Sequence, residues 1–239
     1  RIVSATQTGD PPRTLITMGA SGGDLVTFTT SGPTTPTGGS GALDATAYVQ
    51  STTLYKKAYW TDGRQYRTYD PVTGLITEYK GTTAGAIPAR CALIESWRGR
   101  IVLARSADEP HNWFLSKKDA PNNFDYFPPV PGETDAVAGN LSPAGLCPDI
   151  INTVIPYNED ILVFGCDHSI WMLVGDPAAG GRIELVSDIT GMSFGRPWTK
   201  DPNGVLYFFG SRGGVFRWTP GALPERVSLM KIERQLQDV

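Results

Sequence analysis

The 239-residue chain reads as an all-β protein, a β-propeller-like array of short antiparallel blades, on three observations. Gly (27) and Pro (19) together supply 46 residues, well above their usual share of about 12%, which favours many turns over long helices. Short runs of β-branched and aromatic residues recur, each meeting a tight polar turn and then a second such run. Four run starts, Ala58, Ile101, Ile161 and Val205, lie 43, 60 and 44 residues apart. Periods of about 40–50 with several strands per unit are those of propeller blades. An irregular β-sandwich is the alternative.

Three regions follow along the chain. Residues 1–50 form an irregular Gly/Thr-rich region with two short strands, Thr14–Met18 and Asp24–Phe28, joined by the hairpin turn of "GASGGD". "SGPTTPTGGSGA" (31–42) holds only Ser, Gly, Pro, Thr and Ala, a composition expected of a flexible loop. Residues 51–228 carry the blades. In the first, Tyr59 and Trp60 enter an Asp62-Gly63 turn, a strong local hairpin signal because both residues accept positive φ. Gln65–Tyr69 returns, Asp70-Pro71 with Gly74 turns again, and Leu75–Tyr79 adds a third strand.

The second blade is Ala92–Trp97 followed by "RIVLARSADEPHNWFLSKKDAPNNFDYF" (100–127). An insertion near 128–149 precedes the third, Glu159–Pro177, and Pro202–Gly221 is the fourth. Consecutive bulky residues such as Tyr207-Phe208-Phe209 imply sheets buried on both faces, where a one-sided sheet would alternate. Four units are legible, so a circle would be closed by the N-terminal strands or by sequence beyond the chain. Residues 229–239 are expected as a short C-terminal helix or linker, because Leu229, Ile232, Glu233 and Leu236 recur at helical spacing.

Net charge is −3, whereas a protein holding nucleic acid through its phosphates shows a basic excess. The longest apolar runs, Ile161–Phe164 and Ile170–Val174, fall far short of the ~20 residues of a spanning helix. Cys91, Cys147 and Cys166 form no CxxC pair and are expected as buried free thiols, in keeping with a reducing compartment.

No pattern nominates a catalytic, metal-binding or cofactor-binding residue. His111 and His168 sit in equivalent hairpin turns without HxH or HExxH spacing. No G-x-S-x-G elbow occurs, and the acidic pairs Asp108-Glu109, Glu133/Asp135 and Glu159-Asp160 read as solvated turn charges. A glycosidase needs two carboxylates facing each other across a sugar cleft, which sequence adjacency does not supply. Trp97, Trp171 and Trp218 are expected in the inter-blade core. Trp60 and Trp113 border turns and are expected either in the core or partly exposed, where a rigid aromatic anchors partners. With them, His111, His168 and Arg212 are the turn-borne candidates for partner contact.

"WRGRIVLA" and "WFLSKKDAPNNFDYFP" resemble a unit of the tail nozzle proteins of short-tailed bacteriophages, the tail tubular protein B family. Arg100, Trp113, Phe114, Ser116, Asp119, Pro121, Asn123 and Phe124 occupy its pattern of an Arg-led strand, an aromatic strand ending in Ser and a "DP-x-N-F" turn. Ala120 departs from it by separating Asp from Pro. "VIPYNEDILVFGCDHSIWMLVGD" and "GVLYFFGSRGGVFRW" are similar to the following units, so the resemblance covers residues 90–239. Nozzle subunits are much longer than this chain.

The resemblance implies a structural virion protein of the tail, assembled in the host cytoplasm. It implies a homo-oligomeric ring that contacts adaptor and fibre proteins, passes DNA transiently and without sequence preference, and has no enzymatic activity. The alternative is a carbohydrate- or receptor-binding propeller, and a propeller glycosidase ranks behind it. Within the motif, Ser116 and Asp119 are expected to cap backbone amides of the turn, while Pro121, Asn123 and Phe124 shape its exit.

Overall fold

A computed structural model describes residues 2–8, 14–19, 23–29, 32–44, 46–82 and 85–228, the first two segments and residues 28 and 29 by backbone alone. The chain is all-β, with five four-stranded antiparallel sheets among the described residues. Each sheet is a meander in which consecutive strands pair, most of them across short turns; the longer segment 116–136 separates the last two strands of the third sheet.

Two compact units divide the chain, Arg1–Ser142 and Pro143–Val239, with the boundary inside the stretch expected as an insertion. The first unit holds three sheets. These are β1 (Ile2–Thr8) to β4 (Gly32–Thr34), β5 (Gln50–Leu54) to β8 (Leu75–Glu78), and β9 (Cys91–Trp97) to β12 (Val137–Ala138). Between them run β2 (Thr14–Gly19), β3 (Leu25–Thr29), β6 (Lys57–Thr61), β7 (Tyr66–Asp70), β10 (Arg100–Ser106) and β11 (Trp113–Leu115).

The middle sheet explains the continuous apolar run at Ala58–Trp60. Successive strand side chains point to opposite faces. Trp60 therefore joins Leu25, Val49, Tyr69 and Ile76 on one side. Its neighbour Tyr59 joins Tyr79, Ile94, Ile101 and Phe124 on the other. Both faces are core, which is why alternation is missing.

The Gly/Thr/Pro stretch expected as a flexible loop is built into this packing. Gly32–Thr34 pairs with β3, the Gly39 carbonyl accepts the Leu25 N–H at 2.8 Å and the Thr37 carbonyl accepts the Ile76 N–H at 2.9 Å. Residues too small to bury apolar area still bury backbone hydrogen bonds. The N-terminal strands thus belong to a sheet of the same kind as the others. Half of the "GASGGD" turn, residues 20–22, lies outside the described residues, and the C-terminal helix expected over 229–239 lies wholly outside them.

The second unit holds two sheets. One comprises β13 (Ile151–Pro156), β14 (Ile161–Cys166), β15 (Ile170–Val174) and β16 (Arg182–Ser187). The other comprises β17 (Trp198–Lys200), β18 (Leu206–Phe209), β19 (Val215–Trp218) and β20 (Glu225–Arg226). Ile155, Val163, Met192, Leu206, Phe208 and Trp218 form the core between them. Gly165 sits mid-strand because a Cβ there would lie 2.5 Å from Met192 Cγ, closer than any packing allows. All three cysteines are free and buried, and burial pushes the Cys91 thiol up to about 12.

Candidate functional site

The turn from Ser116 to Phe124 leaves the third sheet and packs on the second. Three internal backbone bonds close it, Ala120 N–H to the Lys117 carbonyl at 3.1 Å, Asn123 N–H to the Ala120 carbonyl at 3.0 Å and Lys117 N–H to the Asn123 carbonyl at 2.7 Å. Ser116 is fully buried. Its Oγ accepts the Ile101 N–H at 2.9 Å, so it ties the turn to β10 and does not cap the turn itself. Asp119 also differs from expectation, since its carboxylate accepts the Tyr55 hydroxyl. The capping role falls to Asn123, whose Oδ1 accepts the Asp125 N–H at 2.9 Å. The Pro121 carbonyl accepts the Tyr79 hydroxyl, and Phe124 is 2% exposed within the core.

Arg100 anchors the base of this turn. It is fully buried, and its guanidinium donates to the carbonyls of Ser116 (2.9 Å), Glu133 (3.1 Å), Thr134 (3.2 Å) and Asp135 (2.5 Å). A planar fork with five donors satisfies several diverging carbonyls that an ammonium could not reach together.

Where the turn faces the second sheet, a groove of about 530 Å3 opens, within the range of small-ligand clefts. Its floor is one face of β6–β8. Tyr59, Thr68 and Thr77 stand in register across the three strands and therefore form one row. Residues Ala120 to Asn123 form the opposite wall. Tyr59 and Tyr79 meet edge-to-face with ring centroids 5.1 Å apart.

Tyr55 stands at the rim, 49% exposed. Tyr55 and Lys56 form the two-residue turn between β5 and β6 with φ of 49° and 62°, the type I′ geometry that matches strand twist. Neither residue favours that region, so the turn carries strain. The bond to Asp119 fixes the ring and, with burial, pushes the Tyr55 phenol up to about 12.

The charged groups of the groove are matched. Lys57 Nζ lies 2.8 Å from Asp70, and this hydrogen bond holds the Asp70 carboxyl below the usual carboxylate range. Glu78 lies 2.9 Å from Lys80. Burial first, and the nearby Asp70 charge second, push the Tyr59 phenol up to about 12.

No family model matches the chain, and no curated protein matches it. Solved structures do. The extracellular domain of a putative hybrid two-component system from B. thetaiotaomicron is similar over 99% of this chain, at TM-score 0.64 and 10% identity. YCF48 bound to D1 peptide is similar over 86%, at 0.55 and 10%. A nidogen/laminin complex contains a chain similar over 85%, at 0.52 and 14%. The likeness is one of fold. The fold is β-propeller-like, and the chain spans 28%, 61% and 70% of those three chains. None of the three is a tail nozzle protein.

Within this propeller-like array, the expected partner contacts separate. Trp60 and Trp113 are fully buried, which corrects the alternative of partial exposure: both indoles follow tight turns yet point inward, Trp60 into the core between the first two sheets. His111 and Arg212 are exposed in turns. His168 is exposed too, with Nδ1 3.7 Å from Asp149 Oδ1.

Asp149, Asp167 and His168 bring potential ligand atoms within 4.8 Å of one another. The Asp149 carboxylate is already engaged by the N–H groups of His168 (2.6 Å) and Ile150 (2.8 Å) and by the Ser169 hydroxyl (3.1 Å). These bonds outweigh the burial that works to raise it, and its carboxyl sits below the usual range. Asp149 lies 18 residues from Asp167 in sequence, so no local motif marks the three. The groove was equally hidden: Tyr55-Lys56 lacks the Gly or Asn that signals such a turn, and its two walls are separated by more than 40 residues.

No described helix is long and apolar enough to cross a membrane.

Proposed function

We propose that the chain is a structural, non-enzymatic β-propeller module of a bacteriophage tail, part of a nozzle-like ring that contacts adaptor and fibre proteins and surrounds the path of ejected DNA. The observation that carries this reading is the role of the residues behind the nozzle resemblance. Arg100, Ser116, Asp119, Pro121, Asn123 and Phe124 all bond or pack within the turn and its two neighbouring sheets. They act as architecture, and a conduit under ejection requires rigid architecture.

Electrostatics agree with this. The net charge of −3 suits a channel through which phosphates slide without being held. A general acid needs a raised carboxyl pKa, whereas Asp70 in the groove is lowered by its lysine.

The test is to image the purified chain by negative stain with mass determination, and to label virions of the phage that encodes it with an antibody against it. Rings of the purified chain, or label at the tail tip, are expected. A strictly monomeric chain with no virion labelled overturns the reading.

A further inference from the structure

We propose that the groove between β6–β8 and the 120–123 turn binds a neutral oligosaccharide, with Tyr55 as its stacking platform. This goes beyond the tail reading and stands without it.

Three features select that ligand class. The first is charge. Lys57 is matched by Asp70 at 2.8 Å and Glu78 by Lys80 at 2.9 Å, so each charged side chain lining the groove has an opposite charge beside it, which leaves little net attraction for a phosphate, sulfate, carboxylate or amine. Nucleic acid and charged sugars are thereby disfavoured.

The second is hydrogen bonding. Hydroxyls of Thr73, Thr77 and Thr82 and the amide of Asn122 line the groove, and all four residues are exposed. Hydroxyls and amides both donate and accept, which suits a ligand whose every substituent is a hydroxyl. A peptide strand would instead seek a free backbone edge, yet the outer edge of β8 already receives the Thr37 carbonyl at Ile76.

The third is the aromatic rim. The Tyr55 ring is half exposed while its hydroxyl is held by Asp119. A ring fixed at one end presents its face with little entropy left to lose. Sugar rings expose an apolar C–H face that packs on such a surface while the hydroxyls turn toward the threonines. The strained Tyr55-Lys56 turn is what aims the ring there, and strain of that kind gathers at ligand clamps.

The experiment is calorimetric titration with neutral trisaccharides of glucose, mannose and N-acetylglucosamine, beside a sialylated trisaccharide and a short single-stranded DNA. Saturable binding of at least one neutral sugar is expected. Tyr55→Ala should weaken it about tenfold or more and Thr77→Val a few-fold, with melting temperatures recorded to confirm folding. Arg212→Ala, in the second unit, should leave it unchanged. Absence of saturable binding by any neutral sugar overturns the proposal, as does preference for the sialylated sugar or DNA, or an unchanged affinity in a folded Tyr55→Ala.

Discussion

Arg100 and Ser116 close the third sheet on itself from both directions. The Arg100 guanidinium donates to the Ser116 carbonyl at 2.9 Å, and the Ser116 hydroxyl accepts the N–H of Ile101, the next residue after Arg100, at 2.9 Å. Ser116 thus contributes both its backbone carbonyl and its side chain at one point, and the 116–124 turn leaves the sheet from a fixed position.

Replacing Arg100 with Met should cost about 3–5 kcal/mol, because the buried hydrogen bonds to the carbonyls of Ser116 and Asp135 and the part-buried ones to Glu133 and Thr134 lose their charged donor. Lys should recover little of this, since its ammonium lacks the fork. Chemical denaturation of both variants measures it. A loss below about 1 kcal/mol in Arg100→Met would refute the anchoring role.

The burial of both indoles predicts large truncation costs without any loss of partner binding beyond unfolding. Trp60→Ala and Trp113→Ala should each lose about 3–5 kcal/mol. Gly139→Ala should destabilise through Trp113, whose Nε1 would lie 2.7 Å from the new Cβ, by about 1–3 kcal/mol. Thermal melts of the three variants are the check.

Lys56→Gly should raise stability by about 1 kcal/mol, because glycine adopts the observed positive φ without steric conflict. The gain is smaller if the added freedom of the unfolded chain offsets it. A clear loss of stability in equilibrium unfolding would show that the Lys56 side chain matters more than the turn.

Alkaline pH should weaken the first unit over a defined window. Tyr55 and Tyr59 are raised from about 10 to about 12. A phenol whose folded pKa is raised contributes stability that is full below pH ~10 and lost as pH rises to about 12. Tyr59→Phe should flatten that decline, as read from melting temperatures against pH alongside phenolate absorbance.

Acid acts through Asp135. Its carboxyl is lowered mainly by the hydrogen bond from Lys117 at 2.9 Å. The stability it contributes is present above the unfolded value of about 3.9 and is lost as pH falls through the folded value. Asp135→Asn should therefore show a shallower loss of stability below pH ~4 than the parent, at the expense of lower stability at neutral pH.

The central strands were legible in the sequence: β6, β7, β10, β14, β15, β18 and β19 all coincide with runs of β-branched and aromatic residues. Of these, β6, β10 and β14 are buried at consecutive positions, so burial there demanded apolar residues without alternation. The flanking β5 was not legible, and its chemistry says why. Gln50 Nε2 donates to the Ile94 carbonyl at 2.9 Å and to Glu95 at 3.0 Å, and Thr52 Oγ1 lies 3.1 Å from Ser96 Oγ. Polar residues satisfied by a neighbouring sheet read as surface until that sheet is in place.

The sequence by itself determined the all-β class, the spacing of the units and the Gly-bearing turns such as Asp62-Gly63, since these depend on local propensity and short-range pairing. Only the tertiary structure decided that Trp60 and Trp113 point inward, that Asp119 holds Tyr55, and that the 120–123 turn faces β6–β8 across a groove. Those outcomes hang on contacts between residues tens of positions apart. A strand's own pattern says that both its faces are covered, but not by what.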